Sequence, residues 1–181
     1  MSRITVPTRE AAPDASQPLL DAVDKQLGTV PNLFRLVSLS PPALQGLLGL
    51  SGALGKALDL KTRNRIALAV AQVNGCDYCL SAHTYLGLNL AKLTPDEVAL
   101  ARRGGSADAK AGAAVAFAAQ VTRTRGKVSD ADLQAVRAAG YSDAQIVEIV
   151  AVVAEQVFTN FVNNVAQTEI DFPVVHAAEA L

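Results

Sequence analysis

Apolar residues along this chain recur at helical spacing, and short polar, glycine and proline clusters divide them into blocks. Between Leu60 and Val73, the residues Ile66, Leu68, Val70 and Val73 stand among alanines, the pattern of a helix buried on most sides. Asn74-Gly75 can end that helix, because glycine tolerates the left-handed conformation of a C-cap. Upstream, Pro31 starts a short apolar stretch over 32–37. Ser40-Pro41-Pro42 then supplies an N-cap with proline at the first helical position, predicting a helix from Pro41 to about Leu58. Downstream, Thr94-Pro95-Asp96-Glu97 reads as a full capping box. Ser106 opens an alanine-rich helix to about Arg125, ended by Gly126, and Ser129 and Ser142 start two more on either side of Gly140-Tyr141. The last helix, Asp143 to about Gln167, is long and largely apolar, interrupted by Glu148, Glu155, Asn160, Asn163 and Asn164.

Residues 1–15 carry two prolines, charges and no helical period, so they read as an arm preceding a single domain over 16–181. The loops are short throughout, so neighbouring helices should pack antiparallel in a compact bundle. Composition agrees with an all-α fold: half the residues are apolar, only 4% are aromatic, and alanine, leucine and valine dominate. That is ample for a core in 181 residues without a staple. It also leaves more apolar surface than one small monomer absorbs, the last helix above all, which points to a homo-oligomer. With 16 basic and 17 acidic residues and no basic run, nothing favours a nucleic-acid partner. The chain offers no span of about 20 uninterrupted apolar residues and no leader-like N-terminus, so a soluble cytoplasmic protein is expected.

The two cysteines, Cys76 and Cys79, lie in Asn74-Gly75-Cys76-Asp77-Tyr78-Cys79, with His83 four residues further on. A bridge across two intervening residues closes a very small ring and adds little stability, so the spacing favours redox chemistry over stapling. With Cys76 at the start of a helix, unpaired N–H groups and the positive end of the dipole favour thiolate over thiol. His83 falls on the same face as Cys79, where it can hold or relay the exchanged proton. Tyr78 is either a hydrogen-bond donor to a sulfur or a bound water, or a partly buried aromatic wall. Two other readings stand beside the redox one. Structural zinc would use both sulfurs and His83 but needs a fourth ligand, and the other histidine, His176, lies in the C-terminal tail. Alternatively the cysteines are inert and buried.

The run Asn74 to His83, preceded by the helix from Lys61 and followed by Phe158-Thr159-Asn160 and by Thr168-Glu169-Ile170-Asp171-Phe172-Pro173, resembles the AhpD-like, peroxidase-related branch of the carboxymuconolactone decarboxylase family. The likeness runs from about Pro31 to Pro173. It implies an all-helical, oligomeric domain, often a trimer or hexamer, without metal or cofactor. Its dithiol would reduce hydroperoxides or regenerate a peroxiredoxin, with a lipoyl-bearing or thioredoxin-like protein as reductant. It further implies that Cys79 is the attacking thiolate and Cys76 the resolving cysteine.

One position departs from that family. A glutamate usual twelve residues before the first motif cysteine is here Asn64, which can orient a water or an imidazole but cannot accept a proton. Glu155, breaking an apolar helix, is the candidate substitute if the last helix crosses the dithiol helix; a surface or interface glutamate is the alternative. Asn160, Asn163 and Asn164 read as interhelical hydrogen-bonders. Two further functions stay open: a lactone decarboxylase, which would leave the vicinal thiols unexplained, and a helical interaction module that has lost turnover with its glutamate.

Overall fold

The computed structural model describes residues 2–178. A short 3-10 turn, Asp14–Ser16, leads into α1 (Gln17–Leu27), α2 (Asn32–Val37), α3 (Pro41–Leu54), α4 (Leu60–Val73), α5 (Asp77–Asn89), α6 (Pro95–Arg102), α7 (Ala109–Thr124), α8 (Asp130–Ala138) and α9 (Asp143–Ala166). No strand occurs among the described residues.

Helix α4 is the hub, packed against α5, α6, α7 and α9. Its middle, Ile66 to Ala71, is at most 1% exposed. Alternating alanine with Ile, Leu and Val there lets neighbours approach on several sides, and each large side chain contributes about 1.5–3 kcal/mol of burial. One core joins α4 to α7, α8 and α9 through Ile66, Val70, Val115, Phe117, Val136, Ile149 and Val152. A second surrounds the cysteines with Leu68, Leu80, Leu93 and Val98, and takes in Ile170, Phe172 and Val175 of the tail. The N-terminal arm lies back on the body: Ala12 is buried beside Leu20 and Leu44, Arg9 pairs with Asp21, and Arg3 N–H donates to Ala166 O at 2.6 Å.

Local chemistry sets most helix ends. Ser129 and Ser142 both complete capping boxes, with Asp132 and Gln145 respectively. At α6 only half of the expected box forms. Thr94 accepts from Glu97 N–H, but the Glu97 carboxylate turns away to Arg65, Ser106 and Ala107. Ser106, committed to that carboxylate, leaves the capping of α7 to Asp108, so the helix starts at Ala109. Helix α3 stops at Leu54, short of Leu58: glycines at 46, 49, 52 and 55 lower its propensity, and Asp59 caps α4 soon after.

Helix α9 has the length and mean hydropathy, 1.4 over its best window, of a membrane span. Here it is a core helix, with Ile149, Val152, Asn160 and Asn163 fully enclosed by the bundle. Its opposite side is apolar and open: Val147, Val150, Phe158, Phe161 and Val165 are all exposed.

Candidate active site

The junction between α4 and α5 positions the thiols. Gly75, at φ 61°, turns the chain, and Cys76 N–H closes the end of α4 on Ala71 O at 3.0 Å. Cys76 then caps α5, its Sγ accepting from Cys79 N–H at 3.2 Å. Both cysteines are free and buried, yet only Cys79 lines the cavity beside them.

The two thiols are driven apart in acidity. Burial acts to raise Cys79, but hydrogen bonds from Cys76, then Asn163, Asn160 and Thr159, outweigh it and bring the thiol below its ordinary value. Asn163 Nδ2 donates to Cys79 Sγ at 3.3 Å. Cys76 moves up, because its proton bonds the Cys79 sulfur, with burial adding to the effect. A thiolate at Cys79 held by a thiol at Cys76 is the favoured pair.

His83, one turn beyond Cys79, is clamped between two side-chain amides. Asn64 Nδ2 donates to the His83 carbonyl at 3.0 Å, which turns its Oδ1 toward Nδ1 at 3.2 Å. Nδ1 therefore carries the proton of the neutral ring. On the other side Gln156 Oε1 lies 3.0 Å from Nε2, an arrangement suited to imidazolium, and a half-turn of that carboxamide serves the neutral ring. Burial, against the Gln156 hydrogen bond, pushes His83 down to about 4. The amide of Asn64 fits only because residue 87, a further turn along α5, is glycine: a Cβ there would stand 2.5 Å from Asn64 Nδ2.

The partner of His83 on α9 is therefore Gln156 and not Glu155. Glu155 lines the cavity but makes no hydrogen bond to the imidazole; it meets Ser51, and burial raises its carboxyl despite that bond and the charge of Arg63. One position on a helix is a rotation of about 100°, enough to exchange the two roles. Tyr78 is also engaged elsewhere than at a sulfur. Its hydroxyl donates to Asp171 Oδ1 at 2.8 Å and accepts from Leu33 N–H at 3.0 Å, while its ring meets Phe172 edge-on at 5.9 Å. The other residue between the cysteines, Asp77, accepts from Ala177 N–H at 2.8 Å and pairs with His176 at 2.7 Å. The tail thus grips both intervening residues. Among the described residues no three Cys, His, Asp or Glu side chains converge as metal ligands.

Sequence reasoning missed Gln156, Thr159 and the role of Asn160 and Asn163 as a polar face directed at Cys79 and His83. Asn160 also serves as the expected interhelical link, accepting from Asn74 Nδ2 at 2.9 Å. The signal was present: 156, 159, 160 and 163 share one helical face in an otherwise apolar segment.

The cavity measures about 280 Å³ and lies between α1, α2, α3, α4, α5 and α9, with Phe172 of the tail on its wall. Its wall is mainly apolar, and Leu60, Tyr85 and Leu90 on it are solvent-exposed, marking where it opens.

Fold and site together define a helical protein with a vicinal dithiol at a helix N-terminus, facing an apolar cavity. Residues 41–124 match the carboxymuconolactone decarboxylase family. The same fold occurs in a peroxidase-related protein from Ralstonia eutropha JMP134 described as an alkylhydroperoxidase AhpD core, with a TM-score of 0.81 and 27% identity, covering 94% of this chain and 92% of that one. A peroxidase-related protein from Silicibacter sp. TM1040 gives 0.79 and 25%, covering 93% and 91%. The debrominase Bmp8, in complex with 2,3,4-tribromopyrrole, shares the fold at 0.79 and 21%, covering 94% of each chain. An uncharacterized protein of Haemophilus influenzae is 56% identical over 36 residues, 20% of this chain and 32% of that protein's length. The family match over residues 41–124 and the likeness to the two peroxidase-related structures support placing the chain with the AhpD-like carboxymuconolactone decarboxylase proteins.

Proposed function

We propose that this chain is a dithiol oxidoreductase that reduces hydroperoxides through Cys79 and Cys76. The observation that carries the reading is the asymmetry of the pair: the acidified sulfur lines the cavity, and the other is fully buried behind it. Cys79 thiolate attacks the terminal peroxide oxygen, forming S–O as O–O breaks. The alkoxide leaves and takes a proton from water at the cavity mouth. Cys79, now a sulfenic acid, has lost two electrons. Cys76 attacks that sulfur, water departs, and the disulfide is reopened by two electrons from an external dithiol, a lipoyl-bearing or thioredoxin-like protein. Regenerating a peroxiredoxin is the same exchange run through a protein disulfide.

His83 stands one turn from Cys79 as a neutral imidazole with both ring nitrogens held by side-chain amides, so it acts on the thiol through the polar wall it helps form, while Asn64 and Gln156 carry no proton themselves. The exposed apolar side of α9 supports assembly with further copies of this chain. A cytoplasmic location fits a dithiol that must be re-reduced in each cycle.

The test is peroxide consumption with dithiothreitol as reductant. Cys79→Ser should abolish it, and Cys76→Ser, given one equivalent of peroxide with no thiol reductant present, should hold a dimedone-reactive sulfenic acid at Cys79 that forms no intramolecular disulfide. Undiminished turnover in both variants would overturn the reading.

A further inference from the structure

Among the described residues, the cavity beside Cys79 carries two formally charged side chains, Arg63 and Glu155, on a mainly apolar wall that includes Leu33, Phe34, Leu47 and Phe172. They stand in parallel positions. Arg63 precedes Asn64 on α4, and Glu155 precedes Gln156 on α9. The second member of each pair holds His83, and the first lines the cavity without bonding the imidazole.

The two charges are not balanced. Arg63 Nε donates to Leu58 O at 3.1 Å, which fixes the guanidinium, and among the described residues no carboxylate comes within 4.0 Å of it. Glu155, partly buried against Ser51, feels the charge of Arg63 without forming an ion pair with it. Among the described residues the guanidinium thus has no ion-pair partner in a mainly apolar wall, a setting that suits a planar carboxylate bound through two parallel N–H groups. The thiolate of Cys79 disfavours an anion beside it, so an acidic ligand orients with its acid at Arg63 and its body along the hydrocarbon.

We propose that the cavity selects molecules with a hydrocarbon body and a terminal carboxylate anchored by Arg63, so that the oxidant delivered to Cys79 is an acid-bearing organic hydroperoxide. This rests on the dithiol reading above. Glu155 tunes the selection. A carboxylate bound at Arg63 places a like charge near it and strengthens its hold on a proton, so binding takes up a proton and weakens as pH rises. Among the described residues the remaining titratable groups on the wall are Tyr78, Cys79, His83 and Tyr85; His83, pushed down to about 4, stays neutral over this range.

Octanoate and 1-octanol differ only at the head group and serve as probes. Calorimetric titration of the reduced protein at pH 7 should show octanoate binding roughly tenfold or more tightly, the worth of one charge-assisted contact. Arg63→Gln should erase that preference and Arg63→Lys should retain part of it. Glu155→Gln should tighten octanoate binding and remove the proton uptake seen on comparing buffers of different ionisation enthalpy. Equal affinities for the two probes in the natural protein, or a preference for octanoate that survives Arg63→Gln, would overturn the proposal. Failure of the dithiol reading shows separately, as a Cys79 that iodoacetamide does not alkylate at pH 7, and leaves the calorimetric comparison intact.

Discussion

Asn163, two turns after Gln156 on α9, donates its side-chain amide to the sulfur of Cys79 in the first turn of α5 at 3.3 Å. After the hydrogen bond from Cys76, this neutral donor is the next contributor to acidifying the thiol. Asparagine cannot titrate, so the stabilisation is constant with pH.

Asn163→Ala should therefore lower the thiolate fraction. A hydrogen bond to a charged group is worth about 1.5–3 kcal/mol, so alkylation of Cys79 by iodoacetamide at a pH below its ionisation should slow by roughly tenfold or more. Stopped alkylation followed by mass spectrometry measures it. An unchanged rate would assign the acidity to the helix N-terminus and Cys76 alone.

The clamped His83 makes folding stability depend on pH in a defined window. Its pKa is about 4 in the folded protein against 6.5 unfolded, so between these values the unfolded chain binds the extra proton. Stability is full above 6.5 and falls as pH drops toward 4, by at most about 3 kcal/mol. Glu155, raised by burial, contributes a slope of opposite sign from the ordinary carboxylate range upward. The informative quantity is consequently the difference between natural protein and His83→Gln in urea unfolding at pH 5 and pH 7.5. The natural protein should lose more stability on acidification, and proton NMR should show the His83 ring neutral down to about pH 4.

Glu97 and Arg65 form a buried pair at 2.7 Å, with side chains 9% and 11% exposed. Ser106 and Ala107 N–H complete the carboxylate's partners, so the pair ties α4 and α6 to the start of α7. Glu97→Gln leaves a buried guanidinium without its counter-ion and should cost about 3–5 kcal/mol in urea unfolding. Replacing both residues by methionine should restore most of that loss.

The open side of α9 makes assembly testable. Val147, Phe161 and Val165 are 68%, 54% and 64% exposed along one stripe of the helix. Phe161→Glu combined with Val165→Lys should reduce the mass measured by sedimentation velocity to that of one chain, about 18.8 kDa. An unaltered assembly, or a natural protein that is already monomeric, would remove this face as the interface.

Helix starts and the dithiol were legible in the sequence because capping is local: Ser129, Ser142 and Cys76 satisfy N–H groups only three residues away, within reach of side chains the order of residues already specifies. Where a side chain found a stronger distant partner, local reading misplaced it. Glu97 abandoned its capping box for Arg65, and Tyr78 turned from the sulfurs to Asp171.

The same division runs through the site. The order of residues by itself determined an all-helical chain, two sulfurs in the first turn of α5, His83 one turn on, and at Asn64 an amide in the position where the resembled family usually has a glutamate. Only tertiary packing decided that Gln156 rather than Glu155 meets His83, that Asn163 bonds Cys79, and that Arg63, among the described residues, stays without an ion pair on the cavity wall. The physical reason is rotational. Which face of α9 looks toward α5 depends on how Ile149 and Val152 seat against α4 and α7, and a step of one residue, about 100° of turn, changes every contact the helix makes.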